Sequence, residues 1–223
     1  MRFRHVIPAL TALLLVAIAI APAQAGWGKS EIEGSGDMET RTLDLNDFDV
    51  IQLGGAFSVD ISFGDKQSVE ITIDDNLWDN LEAEVSGDTF ELGWDKSCDP
   101  DDDCKVVIVM KELEMLEVHG ACDATVADFD GARFEFNVHG AAELDINGKV
   151  GELDIQISGA GEVDARDLQA KHVKVRISGA GDADLYASES IDASISGAGN
   201  LDYWGSPEKE KTSVSGVGSI DSH

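Results

Sequence analysis

The sequence predicts an all-β protein, a right-handed β-solenoid whose rungs are about 19–20 residues long. The first observation is a repeat: the tetrapeptide Ser-Gly-Ala-Gly occurs at 158–161, 178–181 and 196–199, with a variant at 215–218. The second is its period, because the first glycines of successive repeats are 18 to 20 residues apart. The third is that residues alternate between apolar and polar on both sides of each glycine, as in strands with one buried face. The repeat glycines are Gly120, Gly140, Gly159, Gly179, Gly197 and Gly216.

Alignment on these glycines divides each rung into a strand, a tight glycine turn, a second strand and a return loop. The residue two positions before the glycine is Val or Ile in all six repeats, and the residues four before and four after it are mostly apolar. Glycine at the turn supplies either a positive φ or a close backbone approach. The leucine-rich consensus of other repeats of similar length is absent. We therefore assign residues 113–223 to the regular repeats.

Residues 1–25 have the pattern of a secretory signal peptide, with an uncleaved anchor as the alternative. Arg2 and Arg4 precede an apolar run over 10–20, and a small-x-small site follows at 23–25. The run is short for a membrane span, so we expect cleavage, export to the periplasm or cell surface, and no membrane span afterwards. Residues 26–40 are rich in Gly and Glu and are expected to form a flexible leader.

Residues 41–112 are less regular, and we predict that their strands begin or cap the solenoid. The segment around Gly55 matches the repeat in phase. A cap is expected because an open solenoid end exposes strand edges and core. Two hairpins are predicted from strand-like runs on either side of short polar turns: residues 58–63 with 68–73, and residues 81–85 with 89–94.

Several motifs together carry a family resemblance over nearly all of 41–223. They are the segment Phe48-Asp49-Val50-Ile51, the run from Gly55 to Ile61, the run from Val69 to Leu77, and the serial Ser-Gly-Ala-Gly turns. In these motifs the chain resembles a bacterial family described as "putative auto-transporter adhesin, head GIN domain". The resemblance implies an exported, repeat-built, all-β domain with a role in adhesion, and it brings no catalytic residues.

The chain is strongly acidic, with 44 Asp and Glu against 16 Lys and Arg and a formal net charge of −28. Loss of residues 1–25 would remove two arginines and no acid, which makes the charge −30. Nucleic acids and anionic membrane surfaces are therefore disfavoured as partners, because both require a positive protein surface. Divalent cations or a basic envelope protein or glycan are the partners that this charge favours.

The repeats place much of this charge on one sheet face, which we call the acidic column. Its residues stand three and five positions after the repeat glycine, whereas the outward position three before it has little net charge. Carboxylates stacked ~4.8 Å apart in water repel by about 0.9 kcal/mol per contact, which bound cations would relieve. Ca²⁺ is the predicted ion, and a solvated surface with diffuse counter-ions is the alternative. The column contains nine acids: Asp123, Glu143, Asp145, Glu162, Asp164, Asp182, Asp184, Asp202 and Asp221.

Cys98 and Cys104 flank an acidic loop, residues 99–103. In an oxidising compartment we expect them to form a disulfide that closes this loop. The loop is a weaker cation candidate because it lacks the glycine and glutamate of an EF-hand. Cys122 stands where the other repeats carry Ala or Gly, which indicates a small buried residue, with a catalytic thiol as the alternative.

His119 and His139 occupy equivalent positions in adjacent repeats, immediately before the glycine. Stacked imidazoles can bind Zn²⁺. The alternative is a polar corner position, since Ser takes the same place in the next four repeats.

The sequence carries none of the G-x-S-x-G, H-E-x-x-H or P-loop patterns of enzymes. We therefore expect a non-enzymatic structural or adhesive module of the cell envelope, without a cofactor other than Ca²⁺. The alternative is a carbohydrate-binding protein or a weak polysaccharide lyase, since some lyases are β-solenoids. Self-association through the exposed end of a solenoid is also expected.

Overall fold

The computed structural model describes residues 31–223, and the predicted signal peptide lies outside the described residues. Strands account for 72% of the described residues and helix for 3%. A 3₁₀ helix covers Asp75–Asn80. The strands are β1 (Ile32–Glu33), β2 (Met38–Leu43), β3 (Val50–Leu53), β4 (Ala56–Phe63), β5 (Ser68–Asp74), β6 (Leu81–Ser86), β7 (Thr89–Trp94), β8 (Cys98–Asp99), β9 (Lys105–Met110), β10 (Met115–Val118), β11 (Ala121–Val138), β12 (Ala141–Ile157), β13 (Ala160–Ile177), β14 (Ala180–Ile195), β15 (Ala198–Trp204), β16 (Lys209–Val214) and β17 (Val217–Ser222).

The predicted β-solenoid is confirmed: the chain makes about five turns with rungs of about 20 residues. Fifteen of the strands form one continuous sheet that winds around the core. The long strands β11 to β14 each extend over more than one side of a rung. Each pairs in parallel with the equivalent strand of the next rung, β11 with β12, β12 with β13 and β13 with β14. Their register shifts where the chain bends, for example between Val126 and Phe129. Equivalent residues of successive repeats therefore lie directly above one another.

The core consists of columns of aliphatic side chains inside this winding sheet. Val138 pairs in register with Ile157, which pairs with Ile177, which pairs with Ile195. Each of these four side chains is at most 1% exposed. The column shows why the position two before the glycine is restricted to Val and Ile. A β-branched side chain fills the pleated interior and packs against its copy one rung away.

The repeat glycines are required by close backbone approach. A Cβ atom added to Gly140 would lie 1.9 Å from the carbonyl oxygen of Gly120, and one added to Gly159 would lie 1.9 Å from that of Gly140. Along this column no glycine has a φ in the left-handed range. Of the two roles that the sequence allows, the structure thus selects contact between stacked corners. Ala141 donates its N–H to the same Gly120 oxygen at 2.9 Å. This one carbonyl therefore both accepts a hydrogen bond between the rungs and excludes a side chain at Gly140.

The strands over residues 41–112 join the sheet at one end of the regular repeats, and only one of the two expected hairpins is present. Strands β6 and β7 pair antiparallel, which confirms the hairpin over 81–94. Strands β4 and β5 do not pair with each other, because β9 lies between them, parallel to β4 and antiparallel to β5. The prediction of a β4–β5 hairpin is therefore wrong. Strand β9 is favoured in this central position because its alternate residues Val106, Ile108 and Met110 become completely buried there.

The leader expected over 26–40 is ordered in the part that the structure describes. Strand β1 pairs with β8, and β2 pairs antiparallel with β5 at the end of the sheet. The buried carboxylate of Asp74 holds this region, since it accepts the N–H of Gly36 at 2.7 Å and that of Asp101 at 3.1 Å. A composition rich in Gly and Glu did not reveal these long-range partners, so the prediction of a flexible segment is wrong from residue 31 onward.

Candidate functional site

The acidic column is assembled in register along one face of the solenoid. An aspartate ladder runs through five rungs, with each residue paired to the next: Asp145, Asp164, Asp184, Asp202 and Asp221. A second row, which we call the mixed ladder because it contains both Asp and Glu, runs beside it through four rungs: Asp123, Glu143, Glu162 and Asp182. All nine side chains point outward and are exposed or half-buried. Strand neighbours lie about 4.7–4.9 Å apart, so this face carries two close rows of negative charge.

The mixed ladder borders a shallow open groove with a floor of small residues. The groove has a volume of about 460 Å³ and includes Ala121, Ala141, Ala160 and Ala180, which stand one position after the repeat glycine. Side chains this short leave the backbone of the four rungs accessible from outside. The arrangement offers an extended ligand a flat surface with a row of carboxylates along its edge.

A basic side chain that the sequence interpretation missed lies on the acidic column. Arg166 forms a bidentate ion pair with Asp164, and its Nε atom is 3.6 Å from Oδ2 of Asp184. The hydrogen bonds from Arg166 lower the pKa of Asp164. Burial raises the pKa of Asp184, Arg166 opposes this, and the neighbouring carboxylates add to it. The period of two along a strand places residue 166 on the same side as residue 164, which is the signal that could have revealed it.

The opposite face, before the glycine, carries charges that cancel. Lys174 pairs with Asp154, and Lys211 pairs with Asp192 at 2.9 Å, each across one rung. The outward position three before the glycine is also in register, with Gln156 paired to Arg176 and Arg176 paired to Ser194. Lysines pair with acids along this face, whereas on the acidic column Arg166 lies among nine acids. The negative field of the solenoid is therefore concentrated on one side.

The acidic loop extends the column at its N-terminal end. A groove of about 380 Å³ lies between Asp101, Asp102 and Asp103 on one side and the start of β11, with Asp123, on the other. The backbone of the loop is held by its hydrogen bond to the buried Asp74. These contacts bring the two acidic elements of the sequence together, which the sequence alone did not indicate.

The predicted disulfide between Cys98 and Cys104 is absent, since both residues are free thiols. Asp74 and the pairing of β1 with β8 fix the acidic loop without it. Burial raises the pKa of Cys104 to about 11, and nearby acids and the Cys98 thiol add to this. The Cys104 thiol is therefore protonated at neutral pH.

Cys122 occupies a core position, as the sequence predicts for a small buried residue. It is 3% exposed and pairs in register with Phe57 on one side and Ala142 on the other. Burial raises its pKa to about 12. A thiol in this state packs as a small apolar group and does not serve as a nucleophile at neutral pH.

His119 and His139 stack on one another and contact a third residue, Glu117. The ring centroids are 5.0 Å apart with an interplanar angle of 13°. Glu117 Oε1 lies 3.3 Å from Nε2 of each histidine. Over residues 31–223, this His–Glu cluster is the one group of three His, Cys, Asp or Glu residues whose ligand atoms all lie within 4.8 Å of one another. The acids of the column do not converge in this way, so calcium binding by them stays a prediction.

Comparison with known proteins identifies the family. A family model described as "Putative auto-transporter adhesin, head GIN domain" matches residues 47–207. The chain belongs to this family. None of the curated proteins matches the chain. Between residues 31 and 223 this chain has no helix with the length and apolar character needed to cross a membrane.

Solved structures share the head GIN fold. A crystal structure from Bacteroides fragilis described as a "putative adhesin" has a TM-score of 0.72 and 24% identity, over 86% of this chain and all of that one. A structure from Parabacteroides distasonis described as a "Putative lipid binding protein" has a TM-score of 0.51 and 25% identity, over 87% of this chain and all of that one. The first likeness establishes the solenoid architecture.

Proposed function

We propose that the chain is an exported, non-enzymatic adhesion module of the cell envelope that binds a basic partner through its acidic column. The observation that carries the proposal is the in-register alignment of nine carboxylates along one face. Charges aligned in rows add their fields and steer an oppositely charged surface toward them. The family's description as an adhesin and the match to its model support the same role.

The alanine-floored groove suggests the form of the partner. A flat surface bordered by the mixed ladder fits an extended polypeptide or glycan whose positive groups repeat at a short interval. Affinity would come from charge pairing, so it should fall steeply as salt is added. A bulky folded domain would instead meet the ladder at a few points only.

A charge-matched pair of variants tests the basic-partner proposal. In one, the mixed ladder is neutralised with Glu143→Gln, Glu162→Gln and Asp182→Asn; in the other, three exposed acids elsewhere are replaced, Glu70→Gln, Glu112→Gln and Glu152→Gln. The probe is an oligolysine peptide, measured by titration calorimetry at several salt concentrations. We expect the ladder variant to bind at least ~10-fold more weakly and the control to stay within ~2-fold of the parent. Equal losses in both variants would show that only net charge matters.

Export is tested separately by cell fractionation and by sequencing the mature N-terminus. Recovery of the chain in the envelope or medium, beginning after residue 25, supports the proposal. Recovery from the cytoplasm with Met1 intact contradicts it.

Calcium binding by the acidic column is the second proposal for this face. The specific observation in its favour is the raised pKa of Asp184, to which Asp164, Asp202 and Asp182 contribute by repulsion after the larger effect of burial. A bound divalent cation would remove that repulsion. Melting curves with millimolar Ca²⁺ and with a chelator decide it, since an unchanged melting temperature contradicts a specific site.

A further inference from the structure

We propose that Glu117, His119 and His139 form a binding site for a divalent transition metal ion, with Zn²⁺ as the preferred ion. The site lies on the corner before the repeat glycine, away from the acidic column. It is independent of the proposed partner binding. Imidazole nitrogen and carboxylate oxygen are the ligand types that Zn²⁺ takes in proteins, and two histidines with one glutamate form a set that leaves one coordination position open.

The fold brings these residues together by register. Glu117 lies near the end of β10, His119 directly follows that strand, and His139 holds the corner position equivalent to His119 one rung later. The backbone N–H of His139 donates to Val118 O at 2.8 Å, and that of His119 donates to Leu53 O at 2.9 Å. The two rings therefore stack along the solenoid axis, and both face the carboxylate.

Two of the three separations match those of a tetrahedral ion. With metal–ligand bonds of about 2.0–2.1 Å, the ligand atoms of a tetrahedral site lie about 3.3–3.4 Å apart. Glu117 Oε1 is 3.3 Å from Nε2 of His119 and 3.3 Å from Nε2 of His139. All three ligand atoms lie within 4.8 Å of one another. Because the two rings are nearly parallel, with an interplanar angle of 13°, one imidazole must turn about its side-chain torsions before both Nε2 lone pairs point at the same ion.

Hydrogen bonds fix which atoms of His139 and Glu117 are left for an ion. Ser158 donates its hydroxyl hydrogen to Val138 O at 3.0 Å, so its oxygen must accept a hydrogen bond from His139 Nδ1, 3.0 Å away. The other nitrogen of His139, Nε2, is the one directed at Glu117. Gln52 Nε2 donates to Glu117 Oε2 at 2.8 Å and leaves Oε1 to face the two histidines. Such outer partners are what orient ligands at metal sites.

The site is accessible to an ion from solvent. The side chains of His119 and His139 are 52% and 50% exposed, and that of Glu117 is 18% exposed. An open groove of about 250 Å³, lined by His119, Gln52, Glu91 and Trp94, adjoins the cluster. The open coordination position can take a water molecule or a ligand group that enters from this groove.

Zinc titration of matched variants tests the proposal. The purified protein, freed of metal, is titrated with Zn²⁺ against a chromophoric chelator, and Co²⁺ is used as a spectroscopic substitute for tetrahedral coordination. We expect one high-affinity site. His139→Ala or Glu117→Gln should lower the Zn²⁺ affinity by at least ~10-fold, and Gln52→Ala should lower it about 10-fold. The control is His172→Ala. This residue also has its Nδ1 2.9 Å from a serine hydroxyl and its Nε2 3.6 Å from a glutamate, but in the described chain it has no second imidazole in its cluster.

The control separates this site from weak binding to surface acids. Unchanged affinity in His172→Ala with loss in His139→Ala supports the proposal. Equal affinity in His139→Ala and the parent overturns it, as does equal weakening in the control. A parent protein that binds no Zn²⁺ at micromolar concentration overturns it as well. Because both histidines are half-exposed, unchanged circular dichroism spectra are expected for the variants, which shows that any loss is local.

Discussion

Replacement of Gly179 by alanine tests the stacked corners most directly. The new Cβ would lie 1.9 Å from the carbonyl oxygen of Gly159 and 2.5 Å from that of Ser158, whereas real Cβ atoms essentially never come within 3.0 Å of such atoms. The two rungs would have to separate by about 1 Å or more at this corner. That movement strains the hydrogen bond from Ala180 N–H to Gly159 O, which is 2.9 Å long.

The expected cost of Gly179→Ala is about 1.5–4.5 kcal/mol of unfolding free energy. Overpacking contributes about 1–3 kcal/mol, and each weakened ladder hydrogen bond contributes about 0.5–1.5 kcal/mol. The assay is equilibrium unfolding in urea followed by far-UV circular dichroism. The matched control is Gly54→Ala, whose Cβ would have its nearest neighbour, Leu92 O, at 3.7 Å. We expect this control to change stability by less than ~1 kcal/mol.

A loss below ~1 kcal/mol for Gly179→Ala would refute the account of the repeat glycine as a steric requirement. A loss equal to that of the control would do the same. It would mean that the rungs can separate at the corner at low cost.

Three further predictions concern charge, burial and reactivity. The folded-state pKa of Asp184 is raised above its ordinary value of 3.8, so ionisation of this carboxyl opposes folding at neutral pH. Asp184→Asn should therefore raise the melting temperature at pH 7 by the equivalent of at most ~1 kcal/mol. This gain should disappear as the pH falls below 3.8. A lower melting temperature at pH 7 would contradict this. Asp74→Ala should destabilise the fold by about 1–3 kcal/mol in urea unfolding, because two part-buried hydrogen bonds to a buried carboxylate are lost. A loss under ~0.5 kcal/mol would show that water replaces the carboxylate. In alkylation followed by mass spectrometry at pH 8, Cys98 should react first and Cys104 at least ~100-fold more slowly than an ordinary thiol, and fast labelling of Cys104 would show that the loop opens.

The regular part of the fold could be predicted because each rung repeats the same local chemistry. The glycine period, the Val or Ile two residues before it and the outward acids all keep their register in the structure. One sequence position therefore predicts its copies, since parallel in-register pairing leaves no freedom to slip. The acidic column follows directly from this rule.

The irregular end could not be predicted in the same way. The insertion of β9 between β4 and β5 depends on which of three apolar strands buries more surface, and local turn signals carry no information about that. Asp74 is one acid among 44 in the sequence, and nothing local marks it as the buried acceptor for two distant segments. The contact of Glu117 with two histidines likewise depends on side-chain direction at a corner, where the alternation of a strand ends.

The stacked corners also allow the number of rungs in this fold to vary. Each rung touches only the rungs before and after it, so insertion or deletion of one whole repeat would leave every remaining contact type unchanged. Gene duplication of a single rung can thus lengthen the aspartate ladder by one carboxylate without a new packing solution. The number of binding charges can evolve in unit steps, independently of the chemistry that holds the protein together.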